Sequence, residues 1–419
     1  MLDRHTVQNG LKIMMDDILF RFLEQEKIRQ KNTINLIASE NYAPSDIKRM
    51  CGSVLMNKYV EGYPGHRYYA GCSVVDDIEQ ETVQRFKNLF GVEHVNVQPH
   101  SGTQANFAVY FAVLKPGDTI LSMSLDAGGH LTHGHKVNLS GSLYNIVSYG
   151  VDDHGYIDYE QVARLAQRHK PKLIIAGASS YSRIIDFEQF GAIARAVSAL
   201  FMADISHIAG LVVAGVHPTP VGHADIITTT THKTLNGPRG AIIMCKQELA
   251  TVIDRAVMPG TQGGAFMHEI AAKGLAAAYA MTPEFHACQK QIVLNAQAMA
   301  QQFVKYGYTL ISGGTDNHLF VVDVRSFASS GKYIEALCER YGVTLNRNAI
   351  PRDTLKPMLA GGIRIGTPAV TTRGLKEEHC RQIVHIIHRI IQSDHAIIDP
   401  TIVSDIASLV AIMNDCGDK

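Results

Sequence analysis

The sequence predicts an α/β protein in which helices cover a mainly parallel sheet, with a smaller α+β domain at the carboxyl end. Between about residues 90 and 245, short β-rich runs alternate with helical patterns, and this alternation is typical of a parallel sheet covered on both faces. After residue 282, a long helical pattern is followed by strands and helices in mixed order. A chain of 419 residues, 46% of them hydrophobic, is long enough to build both cores.

The individual elements follow from turn signals and from the spacing of apolar residues. In the first part we predict strands at 94–97, 119–125, 172–178, 200–205, 224–231 and 241–245, and helices at 103–114, 158–169 and 187–199. In the second part we predict helices at 283–306, 332–341 and 376–392, strands at 308–311 and 318–324, and an extended segment at 362–370.

These elements predict a division into a helical arm (1–30), a large domain (31–282) and a small carboxyl-terminal domain (283–419). Residues 396–419 are rich in apolar side chains. We expect them to form either a terminal helix or a mobile tail.

The composition argues against several classes of function. The 39 lysines and arginines balance 39 aspartates and glutamates, whereas a nucleic-acid-binding face needs a basic excess. The seven cysteines are scattered and form no C-x-x-C pair, so we expect a reducing, cytoplasmic compartment and no disulfide or zinc framework. The amino terminus lacks a secretory pattern, and no apolar run is long enough to span a bilayer. We therefore expect no nucleic-acid partner and no membrane.

The first candidate site residue is Lys233, which follows the β-branched run 228–231 and precedes a loop containing glycine and proline. In sheets of this kind, ligands lie beyond the carboxyl ends of the strands. A lysine there can form a Schiff base with an aldehyde cofactor, if burial or a nearby cation keeps its amine neutral. The alternative is an ordinary solvated lysine in a loop.

Asp204 ends a second predicted strand. A carboxylate in this place can face a pyridine nitrogen and keep it protonated, and a protonated ring is an electron sink that stabilises a carbanion. The alternative is an aspartate that caps the next helix.

The segment 100–104 lies between a predicted strand and a predicted helix and has the sequence His-Ser-Gly-Thr-Gln. Small residues let backbone N–H groups approach a phosphate, and a helix N-terminus favours the anion. Ser101 and Thr103 add hydroxyl donors, although such loops also occur without a ligand. The chain has no G-x-x-x-x-G-K-[ST] and no G-x-G-x-x-G, which disfavours a nucleotide enzyme.

A glycine- and histidine-rich segment spans residues 128–135. The flat imidazole of one histidine could stack on a planar cofactor ring. The rival interpretation is a metal site made by His130, His133 and His135, but no carboxylate or thiol completes an obvious ligand set. We therefore predict no metal.

Arg364 lies in an extended segment, where Ile363 and Ile365 share one face and the arginine points to the other. A guanidinium in this place could hold a carboxylate by two parallel hydrogen bonds. The alternative is a surface arginine on an edge strand.

Together these segments supply a Schiff-base lysine, a partner for a pyridinium ring, a phosphate cradle, a stacking ring and a carboxylate clamp. This combination is what a pyridoxal-phosphate enzyme acting on an amino acid requires.

From about residue 20 to 392 the chain resembles the serine hydroxymethyltransferase family. The matching strings are those at 35–41, 57–59, 61–65, 67–69, 262–264 and 312–318, together with the segments above. The resemblance implies a fold-type I pyridoxal-phosphate-dependent transferase that is a homodimer with shared active sites. It also implies a reaction in which serine and tetrahydrofolate give glycine and 5,10-methylenetetrahydrofolate.

The resemblance implies roles residue by residue. It gives Lys233 the Schiff base, Asp204 the ring nitrogen, His130 the stacking ring and His232, beside the lysine, a place in the catalytic set. Further cofactor contacts fall on Ser101, Gly102 and Thr103 at the phosphate, Gly263 and Gly264 reaching it from the partner subunit, and Ser179 and His207 near the phenolic oxygen. Substrate contacts fall on Ser39 and Arg364, on Tyr59 and Tyr69 near the carboxylate, and on Glu61 at the hydroxymethyl group. Folate contacts fall on Tyr68, Leu125, Leu131 and Asn348.

The chain also departs from the family pattern. Ser206 stands where alanine is common and Ala265 where proline is common, and further differences fall at Thr261 and at Asp126 before the glycine pair. None of them removes a group to which the resemblance gives chemistry. They leave side-chain specificity and folate affinity open.

Two other functions compete with hydroxymethyl transfer. One is a folate-independent aldolase or transaldolase that acts on another β-hydroxy amino acid with the same retro-aldol chemistry. The retained Glu61, Tyr68 and Asn348 favour the folate reaction over it. The other is a non-catalytic regulatory protein, which the intact Lys233 and Arg364 disfavour.

Overall fold

The computed structural model describes residues 17–327, 330–393 and 397–416, so the first sixteen residues of the predicted arm and residues 396 and 417–419 of the predicted tail lie outside the described part. The helices are α1 (Ile18–Asn32), α2 (Ser45–Cys51), α3 (Ser73–Phe90), α4 (Gly102–Val113), α5 (Leu139–Leu143), α6 (Tyr159–His169), α7 (Phe187–Ala196), α8 (Ala209–Val213), α9 (Ala250–Arg255), α10 (Met267–Ala280), α11 (Pro283–Lys305), α12 (Gly331–Arg340), α13 (Pro368–Thr372), α14 (Glu377–Gln392) and α15 (Pro400–Cys416). The strands are β1 (Ile34–Asn35), β2 (Gly62–Tyr63), β3 (His66–Arg67), β4 (His94–Asn96), β5 (Thr119–Met123), β6 (Asn145–Tyr149), β7 (Leu173–Ala176), β8 (Leu200–Asp204), β9 (Ile226–Thr230), β10 (Ala241–Cys245), β11 (Thr309–Leu310), β12 (Leu319–Asp323), β13 (Val343–Thr344), β14 (Asn346–Asn348) and β15 (Gly362–Gly366).

The central sheet has the strand order β4-β10-β9-β8-β7-β5-β6. The strands β9, β8, β7, β5 and β6 run parallel to one another, and β10 runs antiparallel to both of its neighbours. Hydrophobic clusters cover both faces, and strands such as β7 are buried along their whole length. The predicted α/β architecture with a mainly parallel, helix-covered sheet is confirmed.

Each strand and helix predicted for this sheet is present, usually shortened by one to three residues at an end. Several elements have no counterpart among the predicted ones, including the strand β6 and the helices α2, α3, α5, α8, α9 and α10. β6 is an edge strand whose residues are only partly buried, so its apolar alternation is weak. The sheet therefore has one strand more on this side than the pattern indicates.

A second sheet, β11-β12-β15-β14, is antiparallel throughout. It packs with α11, α12, α14 and α15 around a second hydrophobic cluster. The prediction of one extended segment over 362–370 is wrong at its end, because β15 stops at Gly366 and α13 begins at Pro368. Proline is favoured at the first position of a helix, where its missing N–H costs nothing. In the tail, the helix is the alternative observed, and Ile402, Leu409 and Met413 of α15 are buried.

The amino-terminal segment belongs to the second cluster. β1 pairs in parallel with β13, and Ile34 and Leu36 are fully buried in that cluster. The guanidinium of Arg373 donates hydrogen bonds to the carbonyl oxygens of Gln30, Lys31 and Thr33 at the end of α1. A cation there also interacts favourably with the helix dipole.

Lys273 of α10 fixes the chain that leads into segment 100–104. Its side chain is buried, and its Nζ lies 2.7, 3.0 and 3.0 Å from the carbonyl oxygens of Val97, Pro99 and Ala241. An ammonium group has three donors and no acceptor, so these carbonyls satisfy it completely. The ends of β4 and β10 are thereby held together behind the loop.

The hairpin formed by β2 and β3 is held by a buried ion pair. The Arg67 guanidinium lies 2.8 Å from Asp76 and 2.6 Å from Glu79, both on α3. The same guanidinium donates to the carbonyl oxygens of Val60 and Gly62, so it links the hairpin to α3. Among the described residues, no helix combines the length and the apolar character that crossing a membrane needs.

Candidate active site

A cavity of about 170 Å³ opens at the carboxyl ends of β8 and β9. The predicted site residues that line it are Ser101, Gly102, Thr103, His130, Ser179, Asp204, His207, His232 and Lys233. They come from loops after several different strands, as expected for a ligand site in a parallel sheet. The sheet therefore brings together the lysine, the carboxylate, the histidine ring and the serine-glycine-threonine segment.

The Lys233 side chain extends into this cavity and is not solvated as a loop lysine would be. Its Nζ donates a hydrogen bond of 2.8 Å to Thr230 Oγ1. Burial, helped by the cations Arg239 and Arg364 and opposed by Asp204, lowers the pKa of Lys233 to about 8. A substantial fraction of the amine is therefore neutral near physiological pH, as attack on a carbonyl requires.

Asp204 is held as a buried carboxylate. Its Oδ2 accepts hydrogen bonds from Asn106 at 2.9 Å and His133 at 3.1 Å, and its Oδ1 accepts from the hydroxyl and the backbone N–H of Ser206 at 2.6 and 3.1 Å. Burial alone would raise the pKa of Asp204, but these hydrogen bonds outweigh it and bring the pKa well below its usual range. Asp204 does not cap α8, whose N-cap is Ile208.

The ring of His130 lines the cavity in a neutral form. Burial, and then the neighbouring His133, lowers the pKa of His130 to about 4. Thr132 lies 2.7 Å from His130 Nδ1 through its hydroxyl and donates to the same atom from its backbone N–H at 3.2 Å. The neutral ring therefore carries its proton on Nε2. Because His133 is bonded to Asp204, this segment supports the carboxylate, and the described residues contain no group of three or more side chains suited to a metal.

The segment 100–104 forms the start of α4. Ser101 is the N-cap, and its hydroxyl accepts a hydrogen bond from the Gln104 N–H at 3.2 Å. A Cβ added at Gly102 would lie 2.6 Å from Thr230 Cγ2, so only glycine fits the close approach of this turn to β9. The N-terminus of α4 thus faces the cavity with free backbone N–H groups and two hydroxyls, which suits a phosphate.

Arg364 lies on an inner strand of the second sheet and not on an edge. Its guanidinium donates to the Ser179 carbonyl at 2.6 Å and to Asn346 Oδ1 at 3.0 Å, while Ile363 and Ile365 are buried on the other face. Burial lowers the pKa of Arg364 to about 10, so it stays cationic at neutral pH. Through Ser179 it adjoins the cavity wall.

Other predicted residues lie outside this cavity. Tyr59 donates to Glu61 Oε1 at 3.3 Å, and the rings of Tyr59 and Tyr69 lie 5.1 Å apart, edge to face. The virtual Cβ atoms of Gly263 and Gly264 would lie 3.0 Å from Glu61 and 3.3 Å from the Tyr59 ring. These five residues form one exposed cluster, in which the tyrosines are 56% and 46% exposed.

The remaining predicted contacts are scattered in the single chain. Ser39 lines a separate cavity that shares His232 with the first one. Tyr68, Leu125 and Leu131 are exposed, and Asn348 is half-buried, with its amide bonded to the Ala349 carbonyl. The single chain does not bring the four predicted folate contacts together around one cavity.

Some residues of the site were not predicted. Asn106 joins Asp204, Thr132 and Thr228 by hydrogen bonds, Thr230 holds Lys233, and His318 lies 3.2 Å from the buried His207. One signal was available, since Asn106 is a buried polar residue in an otherwise apolar stretch of α4. The others depend on the strand register.

The donor set fits pyridoxal phosphate. A lysine of lowered pKa, an anionic carboxylate, a neutral imidazole and a helix N-terminus surround one cavity, and the buried Nδ1 of His232 at its edge has no protein partner. Fold and site thus define a pyridoxal-phosphate-dependent enzyme of fold-type I. A family model described as serine hydroxymethyltransferase matches residues 13–387. The chain belongs to the serine hydroxymethyltransferase family, and the predicted family, fold class and enzyme class are confirmed.

Proposed function

We propose that the protein transfers the hydroxymethyl carbon of serine to tetrahydrofolate, giving glycine and 5,10-methylenetetrahydrofolate. The observation that carries this proposal is the meeting of Lys233, Asp204 and the N-terminus of α4 in one buried cavity. When bound, pyridoxal phosphate supplies an electron sink for the carbanion that carbon–carbon cleavage creates. The free state of the described cysteines Cys51, Cys72, Cys245, Cys288, Cys338 and Cys380 supports a cytoplasmic setting.

The residues of the cavity would each hold a different part of the cofactor. Lys233 would anchor it covalently, and Asp204 would keep its ring nitrogen protonated. His130 would stack on the ring, and the backbone and hydroxyl groups at the start of α4 would hold the phosphate. Ser179 and His207 line the same wall and would lie near the phenolic oxygen.

The state of Lys233 predicts how cofactor capture depends on pH. The neutral amine attacks the aldehyde, so the rate at which cofactor-free protein captures pyridoxal phosphate should rise with pH and level off above about 8, the pKa of Lys233. A lysine of ordinary pKa, 10.5, would keep gaining rate at higher pH. Stopped-flow absorbance, or borohydride trapping at timed intervals, measures this rate.

Arg239→Gln provides the control for this pH profile. Because the charge of Arg239 contributes to the lowered pKa of Lys233, its removal should shift the profile to higher pH. A wild-type rate that still climbs steeply beyond pH 9 would show that Lys233 keeps an ordinary pKa.

Arg364 would hold the substrate carboxylate. Its guanidinium is already fixed by the Ser179 carbonyl and Asn346, which leaves the fork of the side chain oriented beside the cavity. A planar, fixed guanidinium can form two parallel hydrogen bonds with a carboxylate. Ser39, at the neighbouring cavity, would contact the same substrate.

The exposed cluster would complete the active site of a second copy of the chain. Its members are Tyr59, Glu61, Tyr69, Gly263 and Gly264. In the single chain these residues do not line the Lys233 cavity. Half-exposed aromatic rings gain stability when a partner covers them. We therefore propose a homodimer with shared active sites, in which the folate contacts Tyr68, Leu125, Leu131 and Asn348 are drawn together.

Glu61 is the residue whose role separates the transferase from an aldolase. Moving the hydroxymethyl carbon to folate requires proton transfer at the serine hydroxyl and at the folate amine, so a nearby carboxyl group is useful. A purely structural role would pair Glu61 with Lys58 or Arg67. Instead Lys58 donates to the Tyr59 carbonyl, Arg67 pairs with Asp76 and Glu79, and Glu61 accepts from Tyr59.

We expect Glu61→Gln to lose most folate-dependent serine cleavage, by roughly 100- to 10,000-fold, the usual contribution of a general acid or base. It should keep much of its folate-independent cleavage of allo-threonine, where the aldehyde departs without being captured. Both activities are to be measured on the same folded preparation.

Glu81→Gln is the matched control, because Glu81 is an exposed acid that pairs only with Arg85 among the contacts described. It should leave both activities unchanged. Equal losses in Glu61→Gln would remove the folate role of Glu61. A wild-type protein that cleaves allo-threonine but not serine with folate would be an aldolase.

A further inference from the structure

Ser206 adjoins Asp204 in the wall of the Lys233 cavity. It follows β8 by two residues and lines the cavity together with Asp204 and Thr230. None of the roles implied by the family resemblance uses it, and the resemblance leads us to expect alanine at this position. Its hydroxyl group is therefore a feature that this chain adds to the site.

The direction of the Ser206 hydroxyl proton follows from its two partners. The backbone N–H of Thr230 lies 3.1 Å from Ser206 Oγ, and Asp204 Oδ1 lies 2.6 Å from the same oxygen. An N–H group can only donate, and a carboxylate can only accept. The hydroxyl therefore accepts from Thr230 and must direct its single proton to Asp204.

Removing this hydroxyl would leave Asp204 in place. Asn106 and His133 still donate to Oδ2, and the backbone N–H of Ser206 still donates to Oδ1. The ends of the two strands also stay joined, because Thr230 Oγ1 donates to the Ser206 carbonyl at 3.3 Å. The hydroxyl therefore adds one donor to the Asp204 carboxylate, whereas the position of the carboxylate is set mainly by the other donors.

We propose that Ser206 is a positioning residue that weakens the hydrogen bond between Asp204 and a protonated ring nitrogen of the cofactor. A carboxylate whose negative charge is shared among more donors is a weaker base and accepts each further hydrogen bond less strongly. The Ser206 hydroxyl is one of the hydrogen bonds that stabilise the Asp204 anion. The proposal rests on the proposed pairing of Asp204 with the ring nitrogen.

The experiment compares the wild type with Ser206→Cys and Ser206→Ala, which replace a strong donor by a weak one and by none. The two probes are pyridoxal phosphate and its deaza analogue, in which carbon replaces the ring nitrogen. For each cofactor-free protein, the dissociation constants of both probes are measured. The ratio of the deaza constant to the pyridoxal phosphate constant reports the ring-nitrogen contact alone, because the other contacts cancel.

We expect this ratio to rise several-fold in Ser206→Ala, with Ser206→Cys between the two. Affinity for the deaza analogue should change little. The ¹⁵N resonance of labelled cofactor bound to Ser206→Ala should move toward the protonated position. Ser182→Ala is the control, because Ser182 is buried and its hydroxyl is hydrogen-bonded to Ser312 away from the cavity. The ratio measured for Ser182→Ala should equal that of the wild type.

Two outcomes would overturn the role of Ser206. One is a ratio of the two dissociation constants that is the same in the wild type, Ser206→Cys and Ser206→Ala. The other is an equal loss of affinity for both probes, which would mean that Ser206 only ties the strands together. Failure of the underlying proposal looks different, because a wild type that binds both probes equally has no ring-nitrogen contact at Asp204 to tune.

Discussion

Lys233→Ala should lower the turnover of serine at least about 1,000-fold, because no other described amine occupies the cavity to anchor the cofactor. The fold should survive, since the buried amine makes one side-chain hydrogen bond, to Thr230, and its charged form is disfavoured by burial. Folate-dependent serine cleavage and the visible absorbance of bound cofactor measure the effect.

The matched control is Lys246→Ala, because Lys246 is an exposed lysine that pairs with Asp225 outside the cavity. It should keep full activity and full cofactor content. Borohydride treatment of the wild type should fix the cofactor to the peptide that contains Lys233. Recovery of the label on another lysine would refute the assignment.

Asp204→Ala should weaken cofactor binding and slow turnover together. Cofactor affinity should fall by about 1.5–3 kcal/mol, or roughly 10- to 150-fold, the value of a hydrogen bond to a charged group. Turnover should fall further than serine affinity, because an unprotonated ring withdraws electrons poorly. Equilibrium dialysis with pyridoxal phosphate and steady-state kinetics with serine separate the two effects.

Part of the Asp204→Ala effect will be structural, since the buried donors of Asn106, His133 and Ser206 lose their acceptor. Asp225→Ala controls for this, because Asp225 joins the same two strands at their other end through the Phe201 N–H. It should lower the melting temperature without changing cofactor affinity per folded molecule. Near wild-type turnover in folded Asp204→Ala would contradict the electron-sink role.

The central sheet was predictable because its strands are buried runs whose spacing and turn residues are local properties of the chain. β6 was not predicted, because this edge strand is only partly buried and its alternation of apolar and polar residues is therefore weak. The turn from β15 into α13 was missed although Pro368 marks it, because the preceding apolar residues continue an extended pattern.

The site was predictable as far as it depends on strand ends. Asp204 ends β8 and Lys233 follows the neighbouring parallel strand β9, so they had to meet at one edge of the sheet. Asn106 and Thr230 could not be assigned, because their hydrogen bonds depend on strand register and on the rotation of α4, neither of which the local pattern specifies. The grouping of Tyr59 with Gly264 likewise depends on tertiary packing between segments 205 residues apart in the chain.

The pairing of β1 with β13 affects the order in which the chain can fold during synthesis. Ile34 and its partner residue Val343 are 309 positions apart, which the ribosome takes roughly 15 to 60 s to cover. All strands of the central sheet emerge within that interval, whereas the second cluster lacks its partners until α15 is made. A nascent chain that pauses before residue 343 would therefore carry a completed sheet and an unpaired apolar strand at its amino end, the kind of segment that chaperones bind.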